Sequence, residues 1–166
     1  LSKIKKAKNI LIIDFDKKRL KIAKKLGANN LFEISKKDKD LLKKILRPTN
    51  NIGYDAVISA NGNLKAHELA CRLVAKRGVI NLFGGIPKNV KEKLKIDANF
   101  IHYKQAMITG SFSSNQSHLK KAFQIIKNKS IDFSKIVTSY ANYDNFKDKI
   151  KLLKNKKEIK SIFKPS

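Results

Sequence analysis

The sequence predicts an α/β fold, an open parallel sheet with helices packed against it, on three observations. Short continuous apolar runs recur along the chain, as strands buried on both faces require. Between them lie segments with apolar residues at helical spacing and lysines around the rest. Glycine or asparagine stands where most of these segments should stop. Strands separated by single helices at this spacing are parallel βαβ units.

Asn9 to Asp14 (NILIID) is the first strand, an apolar run ending in an acid. Asp16 to Leu26 follows as a helix with Leu20, Ala23 and Leu26 on one face, and Gly27 takes the position after its end. Asn30 to Ile34 is a second strand, and Asp38 to Leu46 a second helix that buries Leu41, Leu42, Ile45 and Leu46. Turn-formers fill Pro48 to Gly53. Tyr54 to Ala60 is the third strand, closed by Asn61-Gly62-Asn63. The helix predicted over Leu64 to Lys76 turns Leu69, Ala70, Leu73 and Val74 inward, with Gly78 after it. Val79 to Phe83 is the fourth strand, cut off by Gly84-Gly85. Gln105 to Phe112 reads as a strand, and Ser117 as the N-cap of a helix running to about Asn128. A loop over Ser130 to Ser139, a helix from Asp144 to Lys154 and a strand from Lys160 to Phe163 complete the chain, with no internal repeat.

Composition bounds the function. The 166 residues carry 38 Lys+Arg against 13 Asp+Glu, a formal net charge of +25, and 42% are hydrophobic, enough for the core of one ordinary domain. Only Arg19, Arg47, Arg72 and Arg77 are arginines; the other basic residues are lysines spread in pairs along the chain. Lys, Asn and Ile share A/T-rich codons, so base composition accounts for much of the bias. With Arg scarce and no basic arm, specific nucleic-acid binding is not expected, while salt-sensitive adhesion to polyanions is. The single cysteine, Cys71, makes no internal disulfide and no cysteine cluster for a metal, which fits a reducing, cytoplasmic setting. No run approaches the ~20 apolar residues of a membrane span, and no signal-peptide core follows the basic start. The chain opens at Leu1 rather than Met, as a fragment would.

Chemistry concentrates at strand ends. In dinucleotide-binding folds an acid closing an early strand accepts hydrogen bonds from the adenosine ribose and repels a 2′-phosphate, favouring NAD over NADP. Asp14 occupies such a position, with Arg19 five residues on. The alternative is that Asp14 caps a loop and Arg19 is a solvated helix charge. The usual partner, a G-x-G-x-x-G turn about twenty residues upstream, does not occur in these residues. Ligands of open parallel sheets bind outside the carboxyl ends of the strands, where Ala60-Asn61-Gly62 and Gly84-Gly85 also lie, although glycines there can equally be plain turns. His67, His102 and His118 lack ligand spacing and read as structural or solvated. Cys71 reads as a small buried hydrophobe. No residue is assigned as catalytic or as a metal ligand.

IIDFDKKRLKIAKKLGAN resembles the second-strand segment of the zinc-dependent medium-chain alcohol dehydrogenases. GYDAVISANGN, GVINLFGGIPKN and IDANFIHYKQAMITGSF continue the likeness in the same order, the last being similar to the polyol (sorbitol-like) and threonine dehydrogenase branch. KNKSIDFSKIVTSY and KEIKSIFKPS resemble the family's closing segment. The likeness covers this chain but about the C-terminal half of a family member. It implies a Rossmann-like sheet with helices on both faces, truncated at its first strand and phosphate-binding turn. It implies residues 1–138 as an NAD-binding domain, and 139–166 as a helix and strand that return to a catalytic domain. It further implies that Asp14 binds the adenosine ribose and Arg19 packs beside the adenine. Phe83, Gly84 and Gly85 would line the nicotinamide ribose, and Ser111, Phe112 and Ser113 the carboxamide. Ser113 stands where sorbitol-type members often carry Arg, a departure in the substrate region. By the same resemblance the complete enzyme uses NAD and zinc on a small alcohol or polyol, with the zinc ligands in a GroES-like half. This chain would then need such an N-terminal half, or an oligomer partner, to react. A repurposed Rossmann-like domain serving as an interaction module is the alternative.

Overall fold

Each apolar run forms a strand, and the strands pair in parallel in three sheets. The computed structural model describes residues 2–35, 38–155 and 157–165. The chain divides into two compact units, one of residues 1–36 and 115–166, the other of residues 37–114.

In the first unit β1 (Leu11–Asp14) pairs with β2 (Asn30–Glu33), Ile12 opposite Leu31 and Asp14 opposite Glu33. The connection is α1 (Lys17–Lys25), whose N-cap Asp16 accepts the backbone N–H groups of Lys18 and Arg19, and which buries Leu20. Gly27 follows at φ +103°, the left-handed turn that a helix end favours.

Later in this unit α5 (Gln116–Lys127) begins two residues earlier than the sequence reading placed it. Its N-cap is Asn115, not Ser117: Asn115 accepts the His118 N–H while the His118 ring accepts the Asn115 N–H, a capping box. β6 (Ser139–Ala141) and β7 (Ser161–Phe163) form a parallel pair joined by α6 (Phe146–Lys154). β6 begins at the end of the predicted loop, where no strand was expected; its three residues are too few to show alternation. α6 starts at Phe146 rather than Asp144, because Asn142 and Asn145 bond each other's backbone in the preceding turn.

The second unit is a three-stranded parallel sheet, β3 (Tyr54–Ser59), β4 (Val74–Leu82) and β5 (Met107–Gly110), with β4 central. α3 (Leu64–Leu73) links β3 to β4, and α4 (Ala98–Lys104) links β4 to β5. Both helices feed one core: Ala70 and Cys71 of α3, Phe100 and Ile101 of α4, and Val57, Val74, Ile80 and Ile108 of the strands. The alternate residues Ala56, Ile58, Val79 and Met107 lie on the opposite face of the sheet and are exposed.

Two boundaries here differ from expectation. The helix predicted to Lys76 ends at Leu73, and the strand predicted from Val79 begins at Val74. Val74 is β-branched, fully buried and paired with Tyr54, so packing draws it into the sheet. Gly53, at φ +103°, makes room for this: a Cβ there would lie 2.8 Å from the Leu73 carbonyl oxygen and the Ala75 nitrogen. The helix predicted from Asp38 starts at Leu41 as α2 (Leu41–Leu46), since Asp40 is left-handed at φ 56°. Tyr54 donates its hydroxyl to the Ile45 carbonyl at 2.6 Å and so ties β3 to α2. Among the described residues no helix is long and apolar enough to cross a membrane.

Candidate functional site

The sequence-derived candidates fall into two groups, one in each unit. Asp14 and Arg19 belong to the first and lie together. Asp14 ends β1, and its Oδ1 accepts the Asp16 N–H at 3.0 Å, the short turn that starts α1. The loop-capping role considered for Asp14 is therefore real, and it occupies one oxygen. Oδ2 has the Arg19 guanidinium 3.7 Å away, beyond hydrogen-bond length. Arg19 Nε stands 3.8 Å from Asp16 Oδ2 and is buried without a hydrogen-bond partner. Half-exposed pairs of this kind contribute at most about 1 kcal/mol. The arrangement leaves Asp14 Oδ2 able to accept hydroxyl donors, in a setting of two carboxylates and one guanidinium.

In the second unit, β4 and β5 pair through Leu82 and Gly110, so residues 83–85 and 111–113 leave the same edge of the sheet. Phe83 and Gly84 both donate their backbone N–H to the Ser59 carbonyl, at 3.1 and 3.0 Å. Gly84 is compressed: a Cβ there would lie 2.2 Å from the Asn61 carbonyl oxygen. Gly85 has nothing within 4 Å of such an atom. Ser111 receives a side-chain hydrogen bond from Asn81 at 2.8 Å, Phe112 is almost fully exposed, and Ser113 is left-handed at φ 60°. Beside the glycines lies a cavity of about 560 Å³ lined by Leu64, His67, Leu82, Gly84, Gly85 and Pro87 among others.

His67 does more here than fill a helix. It is buried, its Nε2 lies 2.9 Å from the Gly84 carbonyl, and its Nδ1 lies 2.7 Å from the Ser59 hydroxyl. Sequence reasoning missed this because the partners stand eight residues before it and seventeen after, at no helical spacing. The polar residue among the inward positions of α3 was the available signal. His102 is exposed and His118 serves the capping box. Cys71 is buried as expected, and burial, helped by the Glu68 charge, pushes its thiol up. Asn81 Oδ1 is buried without a partner. No group of three His, Cys, Asp or Glu able to hold a metal ion occurs among the described residues.

Comparison with known proteins gives a family and a fold. Residues 1–128 match the family model described as zinc-binding dehydrogenase. The L-threonine 3-dehydrogenase of Chromobacterium violaceum is 25% identical over 84% of this chain and 39% of its own length. A Mycoplasma pneumoniae protein named "Probable NADP-dependent isopropanol dehydrogenase" is 26% identical over 96% of this chain and 46% of its own. The crystal structure of an alcohol dehydrogenase from Thermotoga maritima superposes with a TM-score of 0.84 at 22% identity, covering 96% of this chain and 44% of that one. The chain thus spans less than half the length of the curated relatives it matches.

Proposed function

This chain belongs to the zinc-binding dehydrogenase family, and on that premise we propose that it is the NAD-binding part of a zinc-dependent alcohol or polyol dehydrogenase. In that enzyme a secondary alcohol gives up hydride to the nicotinamide, a reaction this chain does not perform alone. The carrying observation is Asp14: a carboxylate at the end of a parallel strand, with one oxygen built into the turn and the other open. Bound there, NAD supplies the hydride acceptor. Asp14 holds the adenosine ribose, and Arg19 lies beside the adenine. Phe83, Gly84 and Gly85 line the nicotinamide ribose, and Ser111, Phe112 and Ser113 border the carboxamide. Gly84 and Gly85 fit such a role because one lets two backbone turns touch and the other leaves a surface clear for close approach. The zinc that polarises the alcohol belongs, in this reading, to polypeptide outside these 166 residues. Residues 1–138 form the cofactor part, 139–166 return to the catalytic half, and the setting is cytoplasmic.

The test is a titration of the protein with NADH and NADPH, repeated on Asp14→Ala. NADH should bind more tightly than NADPH, and the substitution should erase the preference. Equal affinities in the unmodified protein would sink the assignment of Asp14.

A second reading, a repurposed domain acting as an interaction module, is favoured by the uncovered apolar residues Ile58 and Met107 on the sheet and Leu119, Phe123 and Ile126 on α5. It predicts a stable partner or dimer, and a monodisperse monomer in light scattering would count against it.

A further inference from the structure

We propose that His67 is a positioning residue of the cofactor site: by holding the Gly84 carbonyl it aims the Gly85 N–H at an acceptor oxygen on the nicotinamide-riboside half of the dinucleotide. The inference rests on the reading above and adds a residue to it. A carbonyl oxygen can only accept, so the proton between His67 and Gly84 is on Nε2. With Nδ1 then serving as acceptor, the Ser59 hydroxyl donates to it. Ser59 in turn accepts the Gly84 N–H on its own carbonyl. Ser59, His67 and Gly84 therefore close a ring of hydrogen bonds among the end of β3, the second turn of α3 and the end of β4. Each link is 3.0 Å or shorter.

The consequence lies on the other side of one peptide plane. The chain has no cis peptide bonds, and in a planar trans peptide the carbonyl and the following N–H point in opposite directions. With the Gly84 carbonyl turned to His67, the Gly85 N–H must point away from it. Gly85 is exposed, and its N–H makes no hydrogen bond to the protein among the described residues. A fixed, unused donor at the carboxyl edge of a parallel sheet is suited to a ligand oxygen. Without the ring, Gly84-Gly85 would be free to turn the peptide over and present a carbonyl instead.

The experiment compares the full-length protein with His67→Phe, which fills the space without a donor, and His67→Gln, which retains one. Each is titrated with NADH and with ADP, which carries the adenosine diphosphate and neither the second ribose nor the nicotinamide. His67→Phe should weaken NADH about tenfold, the effect of one misdirected hydrogen bond. ADP should remain within about twofold, and His67→Gln should recover most of the NADH affinity. Equal losses for both ligands would mean general damage and overturn the proposal, as would unchanged NADH binding by a folded His67→Phe. Nitrogen-15 spectra separate this from failure of the cofactor reading. If the unmodified protein binds neither ligand, the ligand assigned here falls with that reading. Slow exchange of the His67 Nε2–H and of the Gly84 amide, lost for Gly84 in His67→Phe, would still support the ring, and rapid exchange of both would overturn it.

Discussion

Gly84 and Gly85 are adjacent, share a predicted role and respond oppositely to the same added methyl. In Gly84→Ala the Cβ arrives 2.2 to 2.5 Å from the oxygen, carbon and nitrogen of Asn61, where real Cβ atoms stay beyond 3.0 Å. Backbone cannot rotate aside as a side chain can, so the two turns must separate. Separation strains the Phe83 and Gly84 bonds to the Ser59 carbonyl. Overpacking of about 1–3 kcal/mol with a weakened hydrogen bond of about 1 kcal/mol gives about 2–4 kcal/mol. For a chain of this size that lowers Tm by about 4–16 °C. Gly85→Ala meets nothing within 4 Å and requires no left-handed backbone, so its stability should stay within about 0.5 kcal/mol of the parent. Its methyl, however, occupies the surface proposed for the nicotinamide ribose, and NADH should bind at least about tenfold more weakly. Thermal unfolding followed by circular dichroism and a fluorescence titration read the two effects. A Gly84→Ala protein melting with the parent would refute the crowding argument. A Gly85→Ala protein binding NADH normally would refute the assigned path of the cofactor.

Two further predictions concern the frame around the site. Ile80 is fully buried in the core beneath α3, so Ile80→Ala should cost about 2–5 kcal/mol in chemical denaturation, and a loss below about 1 kcal/mol would contradict its central place. Glu158 is held below the usual carboxylate range, first by the Ser139 hydroxyl and then by Lys149, against an opposing effect of burial. A depressed folded value stabilises the protein above the unfolded value of about 4.3, and that contribution disappears as pH falls through the folded one. Glu158→Gln should therefore lower Tm by a constant amount above about pH 5, and the gap should close in more acid solution. A gap independent of pH would assign the effect to packing instead.

How far the sequence alone reaches depends on how local each cause is. β1 and α1 were legible because Asp16, the apolar run before it and Gly27 act within their own neighbourhood. The α3–β4 boundary was not, because Val74 has helix-compatible neighbours and joins the strand through Tyr54, twenty residues away. α4 escaped notice as a seven-residue helix, although its N-cap Asp97, accepting the Phe100 N–H, was visible as a signal. At the site, the end-of-strand positions of Asp14 and of Gly84-Gly85 followed from pattern. The Ser59–His67–Gly84 ring did not, since it joins three elements through groups that carry no mutual spacing in the chain.

Cofactor choice sets a local charge against a global one, and salt separates them. Asp14 argues for NAD, whereas one relative is named for NADP. At Asp14 itself, where one carboxylate oxygen stays open, a 2′-phosphate would meet a like charge at short range. The chain as a whole carries a formal +25 and attracts the more highly charged NADPH from a distance. These two fields differ in reach. At about 10 mM ionic strength the screening length is about 30 Å and the whole chain acts; at 150 mM it is about 8 Å and only near charges remain. NADPH affinity should therefore fall faster with salt than NADH affinity, and the preference for NADH should widen as salt is added. If the ratio of the two dissociation constants stays flat between these conditions, the global charge plays no part in selection. If it narrows, the repulsion at Asp14 is itself being screened, and the carboxylate is not in direct contact with the ribose end of the cofactor.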